Sequence, residues 1–259
     1  MSSGTAHVAA GGGFGNTVVA PLGIVMAVTL GMWAVREARR GRTALAVLMG
    51  AGTAATCTDS AVRLLSGLAF TPSEEHPVFY RAFGLDTPLW ALAAYASLFP
   101  GIAYVGYRAV AGAWRRKKFW LAVGGMVLGQ VAFDLLAVHV VDLCHYAGAN
   151  QPLRVWDVPV FWSAVWVIAP VVVGMVYARS ERHPAGASRW LAVLLLGTGN
   201  LGPLAVLVWP TVTALHSSLT NTLVSVIAVT NAVLVAAAVH LLAAPRTAPA
   251  PRPDALGKA

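Results

Sequence analysis

The chain has 259 residues, of which 58% are apolar and only 11% charged, and its mean hydropathy is +0.69. About a quarter of the residues in an ordinary soluble domain are charged, so this chain cannot cover a water-facing surface; a soluble globular enzyme is excluded, and so is disorder outside the ends. The net charge of +8 invites a nucleic-acid reading, but the basic residues sit in short clusters between apolar runs, which is the pattern of membrane topology and not of a nucleic-acid surface.

The apolar runs are continuous and long. A transmembrane β-strand needs only about ten alternating residues, whereas a spanning helix needs about 20 apolar ones. Seven segments meet the helical requirement, over 17–36, 43–68, 88–110, 119–143, 158–178, 189–209 and 217–243. The expected fold is therefore all-α, a polytopic seven-helix bundle over 17–243. Residues 1–16 read as a Gly-rich leader and not a signal peptide, because an early basic region and a small-residue cleavage site are missing. Residues 244–259 read as a disordered Pro/Ala-rich tail. The two cysteines, Cys57 and Cys144, form no CxxC and no disulfide framework.

Orientation follows from Lys and Arg. Arg36, Arg39, Arg40 and Arg42 follow the first span; Arg108, Arg115, Arg116, Lys117 and Lys118 follow the third. Arg179, Arg182 and Arg189 follow the fifth, and Arg246, Arg252 and Lys258 lie in the tail. These alternate connections carry 15 of the 18 basic residues, which places them in the cytoplasm and the N-terminus outside. The expected location is the cell membrane, multi-pass. The outer connections, 69–87, 144–157 and 210–216, carry loop aromatics and acids, where binding concentrates. Seven helices suggest an opsin, but the only lysines are Lys117, Lys118 and Lys258, and none stands inside a span to carry a Schiff base.

Charged and polar groups inside a membrane usually face the bundle interior. Asp59, Asp134 and Asn200 each lie about eight or nine residues from the outer end of their span, roughly 12–14 Å deep, so they form one layer. Asp59 has Arg63 at i+4, which is compatible with a structural pair as well as with a working acid. Asp134 has Gln130 one turn back and no basic residue nearby in sequence, and is the favoured proton donor. Asn200 suits either helix packing or substrate contact. Glu75 and Asp142 stand near the mouth as accessory bases.

His139, Asp142 and His145 share one face if the fourth span continues that far, with His76 and His216 in neighbouring connections. Their spacing fits no established ligand motif, and no metal is expected. Trp162 and Trp166, one turn apart, together with Phe133 and Tyr146, are candidates to line a pocket whose π-faces stabilise a cation. No acidic diphosphate motif, P-loop, GxSxG elbow or dinucleotide fingerprint is present, so any enzyme here works with isolated carboxyl groups and without a cofactor.

Two segments carry a resemblance: FYRAFGLDTPLWALAAY (79–95) and YAGANQPLRVWDVPVFW (146–162). They resemble a group of actinobacterial seven-helix membrane proteins with FGxxxPLW and QPxxVxxxPxxW patterns. The size, the spans and the lone membrane acids also resemble the integral-membrane terpene cyclases of meroterpenoid and indole-sesquiterpenoid pathways. That likeness implies metal-independent, protonation-initiated cyclisation of a farnesyl- or geranylgeranyl-type chain, with a prenyltransferase in the same pathway. The last span departs from it, offering Asn221 and Asn231 where those enzymes place an acid. A non-enzymatic isoprenoid- or lipid-binding protein, or a proton-coupled transporter component, is the alternative.

The basic alternation makes a direct prediction. Reporter fusions after Arg40 and after Arg116 should read cytoplasmic, and a fusion near Glu75 extracytoplasmic. A cytoplasmic reading at Glu75 overturns the orientation.

Overall fold

The computed structural model describes residues 15–71, 77–112, 114–148, 150–181 and 207–243. The chain is mostly helical. A π-helical turn, Gly15–Val19, leads into α1 (Ala20–Ala38). Next come α2 (Ala44–Ala55), a 3-10 turn (Thr56–Thr58) and α3 (Asp59–Ser66). The other helices among the described residues are α4 (Leu89–Ala111), α5 (Arg116–His139), α6 (Val160–Ser180), α7 (Trp209–Leu215) and α8 (Asn221–Leu242).

Among the described residues, six helical segments are long and apolar enough to cross a membrane: Thr17–Ala38, Ala44–Ser66, Leu89–Ala111, Arg116–His139, Val160–Ser180 and Asn221–Leu242. They correspond to six of the seven segments expected from hydropathy. The other, 189–209, lies almost entirely outside the described residues.

The second span is not one regular helix. Its 3-10 turn starts α3 at Asp59, and α3 ends on Gly67, whose φ of 72° is left-handed. Glycine is needed there twice over, since a Cβ would also meet the Gln151 amide at 2.5 Å and the Ala147 carbonyl oxygen at 2.8 Å.

The helical architecture expected from hydropathy is joined, at one end of the bundle, by three antiparallel two-stranded ribbons among the described residues of the connections. β1 (Leu68–Phe70) pairs with β4 (Cys144–Tyr146), aligning Ala69 with His145. β2 (Val78–Ala82) pairs with β3 (Leu85–Pro88), and β5 (Arg154–Val155) with β6 (Val158–Pro159). Phe83 and Gly84, with φ of 53° and 72°, make the tight β2–β3 turn, which demands positive φ at both central residues. Strands this short carry no readable alternation.

The two recurring sequence patterns now have a structural meaning. In FGxxxPLW and in VxxxPxxW, a hairpin ends on a proline, Pro88 or Pro159, that is extended and immediately precedes a membrane helix. The missing N–H costs nothing there, because the first turn of a helix leaves its amides unpaired anyway.

The opposite end gathers the basic connections. Ala34 of α1, Ala44 and Leu45 of α2, Tyr104 of α4 and Tyr177 of α6 share one core cluster. Trp120 of α5 donates its indole N–H to His240 Nδ1 of α8 at 3.2 Å. Arg179 donates to the Leu242 carbonyl. The charges at 36–42, 108–118 and 179 therefore share one face of the bundle, and the ribbons occupy the other.

α4 and α6 form the axis. The apolar window of α6 is 72% buried, against 11% for that of α1. Their backbones touch at two glycines: a Cβ on Gly106 would strike the Val171 carbonyl, and one on Gly174 the Ala103 carbonyl. Small residues permit this approach where lipid supplies no hydrophobic drive between helices. Gly52 of α2 admits the Pro100 ring of α4 in the same manner.

Gly174→Leu should wedge the axis open and cost at least the roughly 1–3 kcal/mol typical of overpacking. Gly125→Leu, at an exposed site with nothing within 4 Å of a new Cβ, is the matched control. Thermal loss of the monodisperse protein in detergent measures both; equal behaviour would contradict the seam.

Candidate functional site

Among the described residues, three carboxyl groups are buried in the spanning helices: Glu37 at the basic end of α1, and Asp59 and Asp134, whose surroundings differ. Asp59 begins α3, and its Oδ2 meets Arg63 Nε at 2.7 Å, with both side chains 2% exposed. Thr87 Oγ1 donates to the same oxygen at 2.9 Å, and Tyr95 donates its phenol to Oδ1 at 2.8 Å. Arg63 in turn donates to the Asp86 carbonyl at 2.8 Å and to Thr87 Oγ1 at 3.1 Å, and its guanidinium lies 4.3 Å from the centroid of Phe70. Tyr80 accepts from the Ser60 amide and donates to the Thr56 carbonyl. Asp59 is thus spoken for on both oxygens, and its cation is engaged through Nε and Nη2. The pair ties α3 to β3, to α4 and to Phe70 of β1.

Asp134 has no cationic partner among the described residues. The buried residues of α5 are Phe119, Val123, Asp134 and Ala137, and a 3.6-residue repeat places all four on one face, so the acid points into the bundle. Gln130 donates to its Oδ1 at 2.9 Å, and Ser163 of α6 donates to its Oδ2 at 2.6 Å. Among the described residues no Lys, Arg or His pairs with it. Ser163, fully buried, is the interhelical partner that spacing along the sequence does not reveal: a lone serine in an apolar span reads as packing.

The aromatic residues adjoin this bond. Trp162 is fully buried and donates Nε1–H to Gln151 Oε1 at 2.9 Å. The Gln151 amide donates to the Ser66 and Ala147 carbonyls at 2.9 and 2.8 Å. Gln151 opens the QPxxV pattern, and this buried knot is the physical reason a glutamine serves there. Trp166 lies 6.4 Å from Trp162 between ring centroids and donates weakly to the Tyr146 hydroxyl at 3.4 Å. These rings pack in one core cluster with Val62, Phe161, Val208 and Val212.

Other expected site residues are placed differently. Phe133 is 41% exposed; as the immediate neighbour of an inward Asp134 it is rotated about 100° from it and faces away from the interior. α5 stops at His139, and the chain folds back through Leu143 N–H to the Ala137 carbonyl at 2.7 Å. Asp142 then takes a left-handed φ of 47° and accepts from Thr71 Oγ1 at 3.4 Å. His145 stands in β4, and His139 packs edge-on against Trp156. The expected His139–Asp142–His145 face therefore does not form, because the helix that would align it has ended. Among the described residues no three His, Cys, Asp or Glu side chains converge as metal ligands. Glu75, His76 and Asn200 lie outside the described residues.

Electrostatics at the ribbon end are simple. Burial pushes the Cys144 thiol up to about 12, so it stays protonated at neutral pH and is no nucleophile. Burial also raises the Tyr146 phenol well above its usual range. On the exposed β2–β3 hairpin, the hydrogen bond from Arg81 holds the Asp86 carboxyl below the usual carboxylate range. Among the described residues, the buried side-chain atoms Thr56 Oγ1 and Trp90 Nε1 have no hydrogen-bond partner. An apolar slot of about 30 Å³ runs between α6 and α8, lined by Phe161, Val165, Ile168, Val208, Ala232 and Val235. Asp134 does not reach it.

The two acids should respond differently to mutation. Arg63→Met strands a buried Asp59, which typically costs about 3–5 kcal/mol, so protein yield and thermal stability in detergent should fall sharply. Asp59→Asn/Arg63→Met, which removes both charges, should recover part of the loss. Asp134→Asn breaks no ion pair and should leave yield near normal. Equal stability losses for Arg63→Met and Asp134→Asn would contradict the distinction.

No protein-family model, no curated protein and no solved structure matches the chain.

Proposed function

We propose that the protein is a membrane-bound terpene cyclase, in which Asp134 starts the reaction by protonating a polyprenyl chain. The observation that carries this reading is the Asp134 environment: a carboxyl inside the bundle, held on both oxygens by neutral donors and with no cationic partner among the described residues. In a dry site of this kind a carboxylic acid can retain a transferable proton, as general acid catalysis requires.

The substrate is a farnesyl- or geranylgeranyl-type chain, free or attached to an aromatic group. The Asp134 O–H bond breaks and its proton passes to a terminal alkene carbon or an epoxide oxygen. The resulting carbocation closes onto the next double bond, with Trp162 and Trp166 offering π-faces to the positive charge. A proton then leaves carbon for an accessory base, Asp142 or Glu75. Asp59 serves in holding the ribbon end together, and its bonds to Arg63, Thr87 and Tyr95 leave it no free oxygen for substrate. The site works without metal, the N-terminus lies outside the cell membrane, and a prenyltransferase of the same pathway supplies the chain.

One observation favours part of the second reading, a proton-coupled transporter component, over a site that encloses an isoprenoid chain. The slot between α6 and α8 holds about 30 Å³, whereas ligand pockets are typically about 300–1,000 Å³.

Membranes containing the protein, incubated with polyprenyl substrates and analysed by mass spectrometry and NMR, should yield a cyclised product of unchanged mass. Asp134→Asn should lower turnover to roughly a hundredth or less, because general acids are typically worth 10²–10⁴-fold. Ser163→Ala should lower it less, and EDTA should leave it unchanged. Normal cyclisation by both Asp134→Asn and Asp59→Asn ends the proton-donor reading. Absence of product, with proton-driven uptake into proteoliposomes that Asp134→Asn abolishes, establishes the transporter.

A further inference from the structure

We propose that the basic end of α1 is a binding site for one anionic phospholipid, independent of the Asp134 site. Arg36, Arg39 and Arg40, with Met32 and Val35, line an open pocket of about 620 Å³. These five positions follow the i, i+3, i+4, i+7, i+8 pattern of a single helical stripe. The stripe continues away from the arginines through Val28 and Val25, and Val25, Val28, Met32 and Val35 are all exposed large apolar residues. The surface is therefore graded along its length, cationic at the connection and apolar toward the middle of the span, where Thr29, also exposed on this stripe, turns its hydroxyl back to the Val25 carbonyl at 2.8 Å. A phospholipid has that same gradation, with a charged headgroup followed by acyl chains.

The charge on this stripe is not spent within the protein. Glu37 is buried and takes Arg42 through both oxygens, at 2.8 and 3.0 Å. Arg40 reaches the same carboxylate at 3.6 Å. Arg36 and Arg39 make no ion pair among the described residues, and both are exposed. Two uncommitted guanidiniums, three residues apart, present forked donors suited to a phosphate oxygen pair. The basic cluster after α4 differs, since Lys118 lies over the Trp114 ring at 4.3 Å and Arg108 over the Tyr104 ring at 5.9 Å. A phosphodiester fits the α1 stripe better than free phosphate, because the acyl chains occupy the exposed valines that free phosphate leaves bare.

Native mass spectrometry of the full chain in detergent tests this, with phosphatidylglycerol and phosphatidylcholine added in separate titrations. Phosphatidylglycerol should be retained preferentially as a single adduct. A basic residue near an anionic membrane surface is worth about 1 kcal/mol, so Arg36→Gln/Arg39→Gln should weaken the adduct about thirtyfold. Arg115→Gln/Arg116→Gln should leave it within about twofold. Both doubles replace exposed residues, and an unchanged melting temperature in detergent checks that each is folded. Equal retention of the two lipids, an unaffected adduct in Arg36→Gln/Arg39→Gln, or full displacement by equimolar inorganic phosphate would each overturn the proposal. Cyclisation or transport measured on the same variants reports separately on Asp134.

Discussion

The bundle depends on how closely α4 and α6 approach. With carbonyls of Val171 and Ala103 lying where the Cβ atoms of residues 106 and 174 would otherwise be, the two helices are set backbone to backbone, and the other spans pack around them. In lipid, burial of apolar surface does not distinguish a helix partner from an acyl chain, so packing and polar contacts must supply the specificity. The glycine seam provides the packing. It also fixes the rotation of α6, and that rotation aims Ser163 at Asp134 while Trp162 turns to Gln151.

The two buried aspartates show how the same side chain acquires different surroundings from its neighbours. Asp59 is joined to a guanidinium one turn along its own helix, to a hydroxyl from β3 and to a phenol from α4. A pair of this kind contributes little net stability relative to an apolar replacement, but leaving half of it is costly. What it contributes here is connection, because Thr87 and the Asp86 carbonyl belong to the ribbon that leads into α4. Asp134 has only neutral donors, one from its own helix and one from α6. Among the described residues no cation balances a negative charge there, which is the contrast with Asp59.

Much of the architecture is legible in the sequence because membrane spans are long and their ends are marked by arginine. The Asp59–Arg63 pair and the Gln130–Asp134 bond are legible for a similar reason: both are one helical turn apart, so local spacing is enough. The ribbons are not, since strands of two to five residues lie below the length at which alternation can be read. Their available signal is the Phe83–Gly84 turn and the proline before each helix. Ser163, Thr87 and Tyr95 are partners across the fold, and no single-sequence pattern joins them to their acids. The His139–Asp142–His145 line fails for a simpler reason: apolar composition continues past His139 while the helix does not.

The buried pair also bears on how the chain enters the membrane. The segment Ala44–Ser66 is the least apolar of the six, and it carries Asp59 and Arg63 together. An acid or an arginine at the centre of an isolated helix opposes insertion by roughly 2.5–3.5 kcal/mol at the translocon, and proximity to the span's end lessens that only in part. Its remedies, Thr87 and Tyr95, are synthesised some 25 to 35 residues later. This segment is therefore a poor candidate for release into lipid alone. It should wait beside the insertion machinery until α4 emerges, and the two should leave as a preassembled hairpin, so that biogenesis follows the order in which hydrogen bonds become available instead of the order of the spans.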